Sequence, residues 1–256
     1  VAGYTFSEDF PTSKSAYDRT YNGYADGVVS VLSKDLGKLV ASTYFGGQGD
    51  DSIGGYNSDD FGDALAIDSK GNIYVGGATG SLDFLVTTDA YDHEKMIQGD
   101  TDAFVTKFNR KLTEVIASTF LGGVKHEGEF PFPLDVVCSL LLGSGGEVYV
   151  AGFTQSDDFH TTEGAYDTTY NGEKGGFEND DIFVSKLDMN LSRLIASTFL
   201  GGRYTDRCAA MAIDSQKNII VAGRTCSDVG ALSNFPTTPG AFDRDFDQSI
   251  GSDGTL

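Results

Sequence analysis

The stretch Ala64-Leu65-Ala66-Ile67-Asp68-Ser69-Lys70-Gly71-Asn72-Ile73-Tyr74-Val75-Gly76-Gly77-Ala78-Thr79 decides the fold of this 256-residue chain. An apolar run closes on Asp, turn-forming residues follow, and a second apolar run ends on small residues and Thr. The arrangement returns as Ala210-Met211-Ala212-Ile213-Asp214, Ser215-Gln216-Lys217-Asn218 and Ile219 to Thr225. Between them Gly143-Ser144-Gly145-Gly146 supplies the turn before Val148 to Thr154, and Val1-Ala2-Gly3-Tyr4-Thr5 repeats the second run at the start of the chain. Gly and Asn tolerate the positive φ of tight hairpin turns, so each copy reads as two strands joined by a turn. The small residues at Gly76-Gly77 and their equivalents allow close backbone approach or a bulge.

Two more strands complete each unit. Asp102-Ala103-Phe104-Val105-Thr106-Lys107-Phe108 alternates, with Phe104, Thr106 and Phe108 on one face and Val105 and Lys107 on the other; Asp26 to Leu32 and Asp181 to Leu187 match it. A period of two marks a strand. The fourth strand carries Ala-Ser-Thr and leads to Gly-Gly: Leu39 to Phe45, Val115 to Leu121 and Leu194 to Leu200. Polar turns such as Asn109-Arg110-Lys111 make strands three and four a hairpin. A long loop separates strands two and three. Its recurring aromatics, Phe10, Phe159 and Phe235, then Tyr17, Tyr91, Tyr166 and Phe242, read as anchors pinning the loop to its own unit, because each buries a large apolar area.

Units that restart about every 75 residues bury their apolar faces by stacking on one another. Four antiparallel strands per unit, repeated radially, describe an all-β propeller. The count is 14 strands, in groups of three, four, four and three, or about three and a half blades, with units near 1–62, 63–133, 134–206 and 207–256. Rings use about four to eight blades. The chain starts inside one motif and stops at Gly251-Ser252-Asp253-Gly254-Thr255-Leu256 as another begins, so the expectation is a piece of a longer protein or a ring closed by another chain.

Composition fits this reading. A chain of this length buries roughly 70–75% of its unfolded surface. Glycine is abundant (33), proline scarce (5) and tryptophan absent. The formal net charge of −20 repels phosphate backbones and anionic membranes, which excludes nucleic acid as a partner and argues against direct membrane insertion. Cys138, Cys208 and Cys226 are too few for a disulfide framework; the first two read as buried thiols, and a Cys208–Cys226 bridge is unsupported.

The elements "ASTFLGG", "AIDSKGNIYVGGAT", "NFPTTPGAFD", "TYNG" and "DAFVTKF", in this order, resemble the SBBP (seven-bladed β-propeller) repeat of bacterial and archaeal surface and secreted proteins. The resemblance covers essentially the whole chain. It implies a secreted or cell-surface scaffold or interaction module, with no particular ligand and no catalytic residues. Two departures stand out. Ile53-Gly54-Gly55-Tyr56-Asn57-Ser58-Asp59-Asp60 is inserted between "GG" and the next strand, and Val124 to Pro133 replaces an acidic turn. Loops of this kind are where an individual binding function would reside.

Candidate chemistry is sparse. Asp243, Asp245 and Asp247 have the spacing that opens a calcium loop, but Gln248 stands where an EF-hand needs Gly, and Gly254 stands where it needs Glu. Calcium is the candidate cofactor at these or other acidic clusters (Asp50-Asp51, Asp59-Asp60, Asp157-Asp158, Asp180-Asp181); hydrogen bonding of Asp to its own turn is the competing account. His93, His126 and His160 fall in loops of different units, and His126-Glu127 does not extend to a zinc helix motif. No G-x-S-x-G elbow is present. Asp26, Asp102, Asp181 and Asp253 recur by position and read as turn caps rather than catalytic groups. Tyr21-Asn22-Gly23-Tyr24 and Tyr170-Asn171-Gly172 combine aromatics and amides as a glycan site does, and as a repeated feature also read as loop structure. Three functions remain: a non-enzymatic scaffold binding a protein, a glycan or copies of itself through open strand edges; a calcium-dependent adhesin; and a propeller hydrolase or lyase.

Overall fold

The computed structural model describes residues 1–55, 64–94, 99–123, 134–172, 179–227 and 235–244. Among them the chain is all-β, with 14 strands in four antiparallel sheets. The first sheet orders β1 (Ala2–Thr5), β2 (Asp26–Leu32) and β3 (Leu39–Phe45). The second contains β4 (Asp51–Ile53), β5 (Leu65–Ile67), β6 (Ile73–Thr79), β7 (Asp102–Phe108) and β8 (Val115–Phe120), with β4 and β5 both pairing β6. The third runs β9 (Asp135–Leu142), β10 (Val148–Thr154), β11 (Asp181–Leu187) and β12 (Leu194–Leu200), each paired with its sequence neighbour. The fourth pairs β13 (Asp206–Ile213) with β14 (Ile219–Thr225). The total equals the sequence count but the grouping differs. The third strand expected from Asp253 lies outside the described residues, and the first strand of the second sheet is in two pieces.

That split comes from a bulge. In the third sheet Gly152 pairs with Val137 and Ala151 with Ser139, which leaves Cys138 unpaired. In the fourth, Gly223 pairs with Cys208 and Ala222 with Ala210, which leaves Ala209 unpaired. In the second sheet Gly77 pairs with Ile53 and Val75 with Leu65, and the intervening Gly76 is held by Gly54 N–H to its carbonyl (3.0 Å) and by its own N–H to Ala64 O (2.9 Å). The inserted segment therefore replaces the single bulged residue inside the first strand. It does not precede that strand, which starts at Asp51, upstream of the boundary read at 62/63. The bulge also explains a glycine. A Cβ on Gly77, Gly152 or Gly223 would lie 1.9, 1.9 or 2.1 Å from the carbonyl oxygen of Ser52, Val136 or Arg207. No side chain fits there, as the small residues suggested.

The alternation read in β7 is present, but both faces are buried. Phe104 and Phe108 join Val29, Ala41 and Phe45 in a core between the first and second sheets. Ala103 and Val105 join Leu140, Val150 and Phe183 in a core between the second and third. A third cluster, including Phe153, Cys138, Cys208 and Met211, lies between the third and fourth. Each sheet thus completes its neighbour's core. All three cysteines are free, with Cys138 and Cys208 buried and Cys226 exposed.

The loop aromatics differ in which sheet they reach. Phe159 packs within its own sheet, against Phe183 (4.5 Å between ring centroids), whereas Phe84 packs both on Phe104 of its own sheet (4.7 Å) and on Phe45 of the preceding one (4.9 Å). The tyrosines behave differently. Tyr17 N–H bonds Leu112 O (2.8 Å) and Tyr91 N–H bonds Leu191 O (2.8 Å), in the β7–β8 and β11–β12 turns of the following sheets. At Tyr17 and Tyr91 the anchor thus ties its loop to the next unit, which corrects the own-unit reading, whereas Tyr166 and Phe242 are exposed and do not pin their loops by burial. In return Leu112 and Leu191, fully buried, reach back into the preceding core from backbone at φ 54° and 57°. The left-handed conformation costs a non-glycine residue roughly 1–2 kcal/mol, which burial of an entire leucine offsets. Leu36 has the same backbone (φ 58°) but is 75% exposed, so nothing offsets its strain.

These equivalent positions should respond oppositely. Leu112→Ala should lose about 2–5 kcal/mol in guanidinium denaturation. Leu36→Gly should change stability by no more than about 1 kcal/mol, in the stabilising direction, as strain relief outweighs the flexibility of Gly. Equal losses at both positions would show that insertion into the preceding core is not what the turn leucine contributes.

Candidate functional site

The residues that converge in three dimensions lie at the joints between sheets. Asp51 N–H bonds Ala25 O (2.8 Å), Asp135 N–H bonds Thr101 O (2.8 Å), and Asp206 N–H bonds Asp180 O (2.7 Å). Each bond joins the first strand of one sheet to the residue preceding the third strand of the sheet before. It brings two carboxyl groups of the repeat together: Asp26 with Asp51, Asp102 with Asp135, and Asp181 with Asp206. All six are at most 5% exposed.

The recurring motifs build the surroundings of these pairs. In Gly-Gly, the second glycine's N–H donates to the carboxyl of the first strand: Gly47 to Asp51 (2.7 Å), Gly123 to Asp135 (2.9 Å) and Gly202 to Asp206 (2.6 Å). In Thr-x-Ser, the serine hydroxyl donates to the same oxygen, from Ser81, Ser156 and Ser227 at 2.7, 2.9 and 3.0 Å. The threonine hydroxyl accepts from that serine's N–H at 3.1, 2.9 and 3.0 Å. In Ala-Ser-Thr, the threonine hydroxyl accepts from Asp18, Asp92 and Asp167 N–H, each at 2.9 Å, which fixes the loop of Ala-Tyr-Asp.

The first glycine of Gly-Gly leaves a small cradle between the paired acids. A Cβ on Gly122 would lie 2.8 Å from Asp135 Oδ2 and 3.0 Å from Asp102 Oδ1; one on Gly201 would lie 2.3 Å from Asp181 Oδ1 and 3.1 Å from Asp206 Oδ2. Asp51, Asp102, Asp135, Asp181 and Asp206 each keep a buried Oδ1 with no hydrogen-bond partner. Burial without full pairing disfavours the charged carboxylate. Desolvation, then the nearby Asp135 charge, pushes Asp102 up to about 8. Burial raises Asp181 to about 8, against the pull of the Asn171 N–H and with the Asp206 charge adding to the rise. Burial raises Asp135 to about 7 and Asp51 to about 6, in both cases opposed by hydroxyl and main-chain donors.

The turn-cap reading of Asp26 and Asp181 is thus half of their role. Asp26 accepts from Asn22 N–H (2.9 Å) and Gly23 N–H (3.2 Å), and Asp181 accepts from Asn171 N–H (2.7 Å). The Tyr-Asn-Gly segments supply these donors, and a Cβ on Gly23 would lie 2.0 Å from Gly49 O, so these segments act as loop structure at the joint. Of the calcium-loop candidates, Asp243 is exposed, while Asp245 and Asp247 lie outside the described residues, as does His126. His160 Nδ1 pairs with Tyr91 Oη at 2.6 Å. In the sequence Asp51 stands only as part of the acidic cluster Asp50-Asp51, a calcium candidate. The signal for its role is spacing: Asp51 and Asp206 each follow the second Gly of Gly-Gly by four residues. Asp135 escapes this rule because residues 124–133 intervene.

A scan against models of known protein families finds no match to this chain, and a search of curated proteins finds no relative of it.

A carboxyl whose folded pKa exceeds its unfolded value of about 4 holds its proton more tightly when folded. Folding then takes up protons between about pH 4 and 8, and stability falls as pH rises through that window. In metal-free buffer the melting temperature should drop from about pH 5 to about pH 8.5. Asp102→Asn and Asp181→Asn, which keep the shape without the charge, should each shrink the drop. A drop unchanged in both variants would assign it to the general repulsion of an acidic surface instead.

Proposed function

We propose that this chain is a segment of a β-propeller of the SBBP type, serving as a non-enzymatic, secreted or cell-surface scaffold whose loops hold a protein or glycan partner. One observation carries the reading: the six acids paired at the joints, Asp26, Asp51, Asp102, Asp135, Asp181 and Asp206, are repeat-equivalent, while Asp100 and Asp180 are buried beside them in one copy each. A catalytic centre is built once, from groups with different roles, such as an acid and a base set apart by their surroundings. Here the same Asp pair, Gly-Gly amide and Thr-x-Ser hydroxyls recur from joint to joint, and their shared work is to fix one sheet on the next. Sheets ordered by chain sequence, with cores shared among adjacent sheets in the described residues, support radial stacking. The abundance of Asp on so acidic a chain suits an environment of high ionic strength outside the cell.

The test is to image the native polypeptide that carries this segment by electron microscopy. A closed ring of sheets around an axis is the expected result. An open, coiling stack would replace the propeller with a solenoid. Discovery of a hydrolytic activity abolished by one single-copy substitution, at unchanged melting temperature, would replace the scaffold with an enzyme.

A further inference from the structure

The three joints are built alike but are not electrically alike. Where Asp181 meets Asp206, the adjoining Asp180 forms an ion pair with Arg207, whose guanidinium also lies 4.5 Å from the centre of the Phe153 ring. Arg207 directly follows the first-strand Asp. At the preceding joint the corresponding residue is Val136, fully buried in apolar surroundings. Carboxyls crowd this joint: the charges of Asp135, Asp92, Asp100 and Asp158 all act in the same direction on Asp102. Asp158 approaches as well, with Oδ1 2.4 Å from where a Cβ on Gly123 would sit. At the first joint Asp26 is capped by two main-chain donors.

We propose that the cradle over Gly122 binds one calcium ion, held between Asp102 and Asp135. Asp102 is 5% exposed and its buried Oδ1 has no hydrogen-bond partner, while the fully buried Asp135 faces the cradle with Oδ2, which also accepts from Gly123 N–H and the Ser156 hydroxyl. Asp102 Oδ1 is also the oxygen that borders the cradle. Among the described residues no three His, Cys, Asp or Glu side chains group as a metal site, so most ligands of an ion here would be hydroxyl, main-chain and water oxygens. Calcium accepts carboxylate, hydroxyl, main-chain and water oxygens in irregular geometry. This site stands on the joint geometry and is independent of the propeller reading.

The experiment is a calcium titration of the whole chain near pH 8, followed by calorimetry and by melting with calcium or chelator. One tightest equivalent should bind, and calcium at about 1 mM should raise the melting temperature above that in chelator. Asp102→Asn should weaken binding by roughly tenfold or more. Gly122→Ala should do the same with both carboxyls still present, because its Cβ occupies the cradle. Asp181→Asn, at the joint with its own arginine, should leave calcium affinity unchanged. No wild-type binding or melting shift overturns the proposal, as does an Asp102→Asn protein that binds like wild type. Should both cradle variants fail to fold, the anomalous signal of a calcium-soaked wild-type crystal decides: a peak over Gly122 upholds the site, and its absence there overturns it.

Discussion

A carboxyl group buried without enough donors is costly, and this chain places such a group at every seam between its sheets. The aspartate whose main-chain N–H links one sheet to the next also sends its side chain into the seam. There it collects the Gly-Gly amide, the serine hydroxyl and the threonine hydroxyl. Those groups occupy the most regular positions of the repeat because the carboxyl requires them. If the aspartate is moved, the glycine amide loses its acceptor and the serine and threonine hydroxyls each lose one of their contacts. The apolar cores then meet in register because the seam has already set the spacing.

The cores depend on that spacing more than on any sheet's own content. Phe45, Phe104 and Phe108 come from two sheets and form one edge-to-face cluster, with centroid separations of 5.7 and 5.0 Å from Phe45. Leu112 and Leu191 are tolerated in left-handed turns because a neighbouring core receives them. Buried Lys107 lies 4.9 Å from the centre of the Tyr74 ring and donates to Met189 O at 3.2 Å, as Tyr74 Oη does at 3.3 Å, so one turn carbonyl of the third sheet anchors two side chains of the second. Burial lowers the Lys107 pKa, opposed by Asp68 and Asp188.

The hairpins were legible in the sequence because their causes are local. Gly71 and Gly146 adopt positive φ, Lys217 does so in the third copy, and Asp68 and Asp214 cap their turns through Asn72 and Asn218. Strand alternation in β7 was legible for the same reason. What escaped was anything requiring register between units. Asp51 and Asp26 are remote in sequence, and each has a complete local account as a turn residue, so nothing in either segment alone reveals that they meet. Tyr17 likewise looks like an anchor from its type, but which sheet it anchors is set by the turn at Leu112. The insertion after Ile53 was visible, whereas its place within a strand was not, because a bulge leaves no compositional mark.

That bulge has a consequence for how the fold can change. At Cys138 and Ala209 one residue already sits outside the ladder, and at the matching point of the second sheet ten residues, 54–63, stand in its place. The flanking pairs keep their partners in all three cases, and lengthening a loop costs little once its ends are fixed. A position inside a regular strand has thereby become a socket: new sequence can be accepted there, in one sheet at a time, without disturbing the pairing on either side.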